Sequence, residues 1–222
     1  MGWMLLKIHQ CRTRSRPKVD KSAAGPSKQL FVNQQFCYYP TLLATFEEYP
    51  EHRIIPMSKR TLYLMRHAKS DWSTAAASDF ERPLNQRGVR AALRMGEHLE
   101  QSQAAIDLIL ASTAVRVQQT LELMQKSWKR LSPLIVCRKG LYLATPAAIF
   151  HEISQVGVEY ASLLVLGHNP GLEDAAKRLS GKAIEFPTAC LAEFRVQSDS
   201  WQQAVQNEDW NLVEVIRPRD WD

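Results

Sequence analysis

The chain has 222 residues, 45% hydrophobic and 23% charged, enough for one sizeable globular domain with an appendage. Its net charge of +5 is unevenly placed: residues 1–56 hold eight Lys+Arg against four Asp+Glu, and residues 57–222 twenty against nineteen. The folded part is therefore nearly neutral, which excludes a typical nucleic-acid-binding domain, and no apolar stretch reaches membrane-spanning length.

Residues 1–56 show no sustained periodicity. A basic run (Arg12, Arg14, Arg16, Lys18, Lys21) precedes Ala24-Gly25-Pro26-Ser27 and an isolated aromatic cluster, Phe36-Cys37-Tyr38-Tyr39. The segment reads as a disordered or loosely docked, or non-native, extension, with a regulatory or targeting tail as the lesser alternative. Met57 to Lys59 looks like a natural start for the domain, 57–222. The four cysteines (Cys11, Cys37, Cys137, Cys190) have no metal-like spacing and read as reduced thiols of a cytoplasmic protein.

From Met57 strands and helices alternate. An apolar run predicts a buried strand over 60–66 that ends in Arg66-His67. A helix follows over 85–101, with Asn85 as N-cap and Val89, Ala92, Leu93, Met95, Gly96 and Leu99 at helical spacing. A strand at 107–111 leads into a helix over 113–128, with Arg116 in its first turn. A short strand at 134–137 precedes Thr145-Pro146, an N-cap and first helical position. The helix they open carries Ile149, Phe150, Ile153 and Val156 on one face. A strand at 161–166 ends in Gly167-His168-Asn169-Pro170-Gly171, where Asn169 suits an N-cap. A helix over 171–180 closes at Gly181, and strands at 189–196 and 211–216 finish the chain. Such strand–helix repetition with short connections predicts an α/β, three-layer sandwich around a mostly parallel sheet.

Three strand ends thus deliver two arginines and two histidines to the sheet edge where open α/β folds bind ligands. Arg116, at a helix N-terminus, sits where free N–H groups and the helix dipole favour an anion. Each element alone has a bland reading: a surface pair capping a strand, a solvated arginine, a structural histidine. Together they suit a phosphate. His9, His52, His98 and His151 lack comparable settings. Walker-type, dinucleotide-binding and nucleophile-elbow motifs are absent from the sequence.

Four segments in this order resemble the SixA-type phosphohistidine phosphatases of the histidine phosphatase (phosphoglycerate mutase-like) superfamily: Arg66-His67-Ala68-Lys69-Ser70, Glu81-Arg82-Pro83-Leu84-Asn85-Gln86-Arg87-Gly88, Ser112 to Thr120 around Arg116, and Gly167-His168-Asn169-Pro170-Gly171. The resemblance implies a metal-independent, cofactor-free hydrolase. In it His67 is the nucleophile, Arg66 and Arg116 clamp the phosphoryl oxygens, and His168 stabilises charge in the transition state. It extends to Arg82 and Asn169 as substrate contacts. Ala68, Thr113 and Val117 depart mildly from the superfamily pattern.

No residue matches convincingly the acid that larger members use on the leaving group. Asp79 and Glu81 are candidates by position only, and each also reads as a solvated surface carboxylate. Arg82 either adds positive potential or pairs with such a carboxylate. A missing acid favours an imidazole leaving group, whose free pKa of about 6.5 lets solvent protonate it. Short loops favour an open pocket. Both point to a protein phosphohistidine, as in a phosphotransfer or phosphorelay domain, with a small phosphorylated metabolite as the alternative substrate and a non-catalytic phosphate-binding module as the alternative class. No nucleic acid or membrane partner is expected, and the chain reads as a monomer.

Overall fold

The computed structural model describes residues 58–73, 78–207 and 209–218. Six strands form one sheet: β1 (Lys59–Arg66), β2 (Leu108–Ser112), β3 (Leu134–Arg138), β4 (Ser162–Gly167), β5 (Leu191–Gln197) and β6 (Asn211–Ile216). Their order is β3-β2-β4-β1-β5-β6. The first four are mutually parallel, and β5 and β6 are antiparallel additions at one side.

The strand residues alternate between two apolar layers, as a period of two requires. Leu62, Leu64, Leu108, Leu110, Leu163 and Val165 face one core, where α3 (Pro146–Ser154), α4 (Gly171–Ser180) and the short α5 (Trp201–Ala204) pack. Met65, Ile109, Ala111, Leu164 and Leu166 face the other, covered by α1 (Gln86–Gln101) and α2 (Val115–Gln125). Strands buried on both faces cannot alternate with polar residues, which is why β2 and β4 read as continuous apolar runs.

Most boundaries follow the local chemistry. Asn85 caps α1 by accepting from the Gly88 N–H at 2.9 Å, and Thr145 caps α3 by accepting from Ala148. Gly181 ends α4 at φ +68°, a left-handed conformation that costs glycine little.

Four expectations need correction. The helix predicted over 113–128 spans only Val115–Gln125, because Thr113 and Ala114 form the bend that leaves β2. Val156 lies beyond the end of α3, though it still packs on the core. The residue at the cap of α4 is Pro170, without a side-chain cap bond, and Asn169 instead donates to the Phe186 carbonyl at 3.0 Å. α5 and two 3-10 turns, Asp79–Glu81 and Lys139–Leu141, were not anticipated. Cys137 is exposed and Cys190 buried, while Cys11, Cys37 and the remainder of the 1–56 extension lie outside the described residues.

Candidate active site

The register of the sheet brings the polar strand ends together. Arg66 pairs with Gly167 across β1 and β4, and Ala111, just before Ser112, pairs with Leu166 across β2 and β4. Arg66-His67, Ser112 and Gly167-His168 therefore leave the same carboxyl edge. Of these, Arg66, His67 and His168 line a cleft of about 300 Å³ with Arg82, Arg116, Asp79 and Asn169.

His67 is 7% exposed. Its Nδ1 lies 2.7 Å from the Ala68 carbonyl, and its Nε2 lies 3.2 Å from Arg116 Nε. A carbonyl can only accept and a guanidinium can only donate, so both contacts fix one tautomer. Nδ1 carries the proton, and the Nε2 lone pair faces the cleft. Burial chiefly, opposed by the Ala68 carbonyl but reinforced by Arg116, Arg66 and Arg82, lowers the pKa to about 4. The imidazole is thus neutral near pH 7, as a nucleophile must be.

His168 follows the same logic. Its Nδ1 accepts from an Arg116 terminal nitrogen at 3.2 Å, so Nε2 holds the proton and donates to Ser112 Oγ at 2.9 Å. Burial first, then His67 and Arg116, lower its pKa to about 3. The two rings stand 5.1 Å apart.

Arg116, in the first turn of α2, is 3% exposed. Besides the two histidines it donates to the Asp79 carbonyl at 2.5 Å and to Asp79 Oδ2 at 3.0 Å. Thr120, one turn on, accepts from the Ala68 N–H at 3.1 Å and donates to the Arg116 carbonyl at 2.6 Å, coupling α2 to the residue after His67. Arg66 donates to the Phe186 carbonyl at 2.7 Å, and its Nε is buried without a partner. Phe186 in turn donates its N–H to Glu173 on α4 at 2.9 Å.

Four residues singled out in the sequence, Arg66, His67, Arg116 and His168, converge here, and Arg82 and Asn169 join them on the cleft wall. Arg82 resolves both of its alternatives: it pairs with Asp79 at 2.5 Å and lines the cleft, stacked 3.3 Å over the Trp72 ring. Asp79 is not a merely solvated carboxylate. It bridges Arg82, Arg116 and the Tyr142 hydroxyl, the last at 2.8 Å. Burial tends to raise its pKa, but Tyr142 and the two guanidiniums override that and hold it below the ordinary carboxylate value. Glu81 stays outside the cleft, exposed, accepting from the Ser78 hydroxyl at 3.2 Å.

Sequence reasoning missed Tyr142, Ser112 as the His168 partner, and the Ser70 and Trp72 contacts that hold Arg82. Ser112 had a signal, as a polar residue ending a buried strand; Tyr142 follows a 3-10 turn with no periodic pattern. Among the described residues no three His, Cys, Asp or Glu side chains converge as a metal site.

A family model described as histidine phosphatase superfamily (branch 1) matches residues 62–139. An uncharacterized protein of Mycobacterium tuberculosis is 36% identical over 146 residues, covering 60% of this chain and 87% of the relative. An uncharacterized chloroplastic protein of Arabidopsis thaliana is 28% identical over 170 residues, 72% of this chain and 78% of that one. Among solved structures, a Nakamurella multipartitia protein assigned as phosphohistidine phosphatase SixA superposes with a TM-score of 0.65 at 29% identity. That match covers 73% of this chain and 98% of the other.

Proposed function

The chain belongs to the histidine phosphatase superfamily, and within it we propose a metal-independent phosphatase that hydrolyses phosphohistidine on a protein through a covalent phosphohistidine intermediate. The observation that carries this reading is the neutral His67 with its Nε2 lone pair in the cleft, between Arg66, Arg116 and His168. In the first step His67 Nε2 attacks phosphorus as the substrate N–P bond breaks, and the released imidazole nitrogen takes a proton from solvent. In the second, water attacks the phosphoenzyme, phosphate leaves with the new oxygen, and His67 regains its lone pair.

Arginine forks suit the phosphoryl oxygens because they offer parallel donors in a plane. The Arg116 donors now spent on the two histidines and Asp79 are those a phosphoryl group would take over. His168 would then face the anion rather than Arg116. Anionic phosphate beside it favours its protonated form and so reverses the depression of its pKa. Arg82 and Asn169 extend the positive and polar wall of the cleft.

The SixA assignment of the Nakamurella neighbour and the openness of the cleft support a protein substrate. One observation favours a second reading, a small-molecule phosphomonoesterase: Asp79 stands in the cleft, where a general acid would serve an alkoxide leaving group. Phosphate release from a histidine-phosphorylated carrier protein, beside a panel of phosphomonoesters, separates the two. Selective turnover of the carrier, abolished in His67→Ala, is expected; faster turnover of the esters would favour the second reading. Binding without turnover in the wild type would leave a phosphate-binding module instead. Residues 57–222, acting as a monomer in the cytoplasm, are the proposed phosphatase domain. Because the Arabidopsis relative is described as chloroplastic, fluorescent fusions with and without residues 1–56 test the location.

A further inference from the structure

A second cleft, of about 180 Å³, adjoins the first and shares Lys69 and Thr188 with it. Its wall is cationic: Arg87, Arg90 and Arg94 on α1, Lys69 after β1, and Arg217 after β6. The three α1 arginines are three and four residues apart, so they share one face of the helix, along about 10 Å of its axis. Lys69, Arg87, Arg90 and Arg217 form no ion pair with any described residue. The Arg217 Nε is buried without a hydrogen-bond partner, and another of its nitrogens makes only a long contact, 3.4 Å, to the Glu185 carbonyl.

These four like charges, with no counter-charge among the described residues, repel one another, and an anion relieves that repulsion. The domain around them is nearly neutral, so the positive field is local to this cleft rather than spread as a polyanion-binding surface. Its shape selects among anions. A single phosphate is best held by donors that converge on one point, as Arg66 and Arg116 do beside His67. Arginines strung along a helix suit several carboxylates presented in a row.

We infer that this cleft receives acidic side chains flanking the phosphohistidine of the protein substrate. The inference rests on the protein-phosphohistidine reading above. Lys69, common to both clefts, marks the direction in which the substrate chain leaves the His67 pocket. Docking there acts on binding, so it sets KM and leaves kcat nearly unchanged.

Two phosphohistidine peptides of equal length test this, one with four glutamates on one side of the phosphohistidine and one with glutamines in their place, assayed at low salt. Wild-type kcat/KM is expected to be at least tenfold higher for the glutamate peptide. That ratio should collapse towards one in the Arg87→Gln/Arg90→Gln double variant, through KM. Hydrolysis of imidazole phosphate, too small to reach the second cleft, should stay within about twofold, showing an intact fold and pocket. Equal wild-type turnover of both peptides, or a ratio that survives in the double variant, overturns the inference alone. Turnover of phosphomonoesters with neither peptide hydrolysed overturns the phosphohistidine reading and this inference with it.

Discussion

Replacing Asp79 by Asn asks whether this carboxylate donates a proton or only holds arginines. Its oxygens accept from Arg82 at 2.5 Å, Arg116 at 3.0 Å and Tyr142 at 2.8 Å, and these contacts keep it ionised. Held below the ordinary carboxylate value by these partners, it is almost wholly ionised at pH 7. That scarcity of the protonated form offsets much of the 100- to 10,000-fold benefit, on the order found for general acids. As a proton donor Asp79 is therefore poorly poised. As a brace it is modest too, since its side chain is 42% exposed. Asparagine keeps one acceptor and loses one charge-assisted bond. With solvent screening, that is about 1 kcal/mol, or about fivefold. Steady-state rates should show kcat/KM for a phosphohistidine peptide and for an alkyl phosphomonoester both changing by less than about tenfold, in step. A loss of 100-fold or more confined to the ester would refute this reasoning and make Asp79 the acid of a small-molecule enzyme.

Three further outcomes are expected. His67 and His168 have folded-state pKa values of about 4 and about 3, so between pH 6.5 and 4 the unfolded chain binds protons that the native state refuses. Their contribution is fully present above pH 6.5 and declines below it by up to about 1.4 kcal/mol per pH unit for each histidine titrating; denaturant midpoints should fall less steeply in a His67→Asn/His168→Asn variant. Arg60, 2% exposed, donates to the carbonyls of Val158, Tyr160, Ser198 and Asp199. Arg60→Ala leaves those acceptors poorly satisfied and should cost about 3 kcal/mol in chemical denaturation, and an unchanged midpoint would contradict that role. Finally, a Cβ at Gly171 would overlap the Ala144 carbonyl oxygen. Gly171→Ala should cost about 2 kcal/mol. It should also lower kcat by displacing the adjacent His168, whereas an unchanged melting point and rate would show that α4 yields freely.

What could be read from the sequence is what local chemistry encodes. Apolar runs such as Leu163 to Leu166 mark β4, and Asn85 and Thr145 mark helix starts, because each signal lies within a few residues of its effect. Arg66, His67, Arg116 and His168 were legible because they occupy strand ends and a helix N-terminus, positions recognisable from those runs. Tyr142 and the bridging role of Asp79 were not, since each depends on a partner distant in sequence: Asp79 meets Arg116 across 37 positions and Tyr142 across 63. Asn169 shows the converse failure. Its sequence setting suits a cap, but the Phe186 carbonyl, 17 residues on, takes its amide instead.

The Phe186 peptide also has a consequence for how such a pocket can drift. Its carbonyl receives both Arg66 and Asn169, and its N–H reaches Glu173, so one main-chain unit orients residues from the first and last of the four segments. A carbonyl is supplied by any amino acid, so this anchor leaves no signature for selection to preserve as a letter. The side chain at 186 is fully buried, however, and its volume decides where that carbonyl sits. An apolar substitution there would pass as conservative in a comparison of sequences, with every recognisable phosphatase residue intact, and still misaim Arg66.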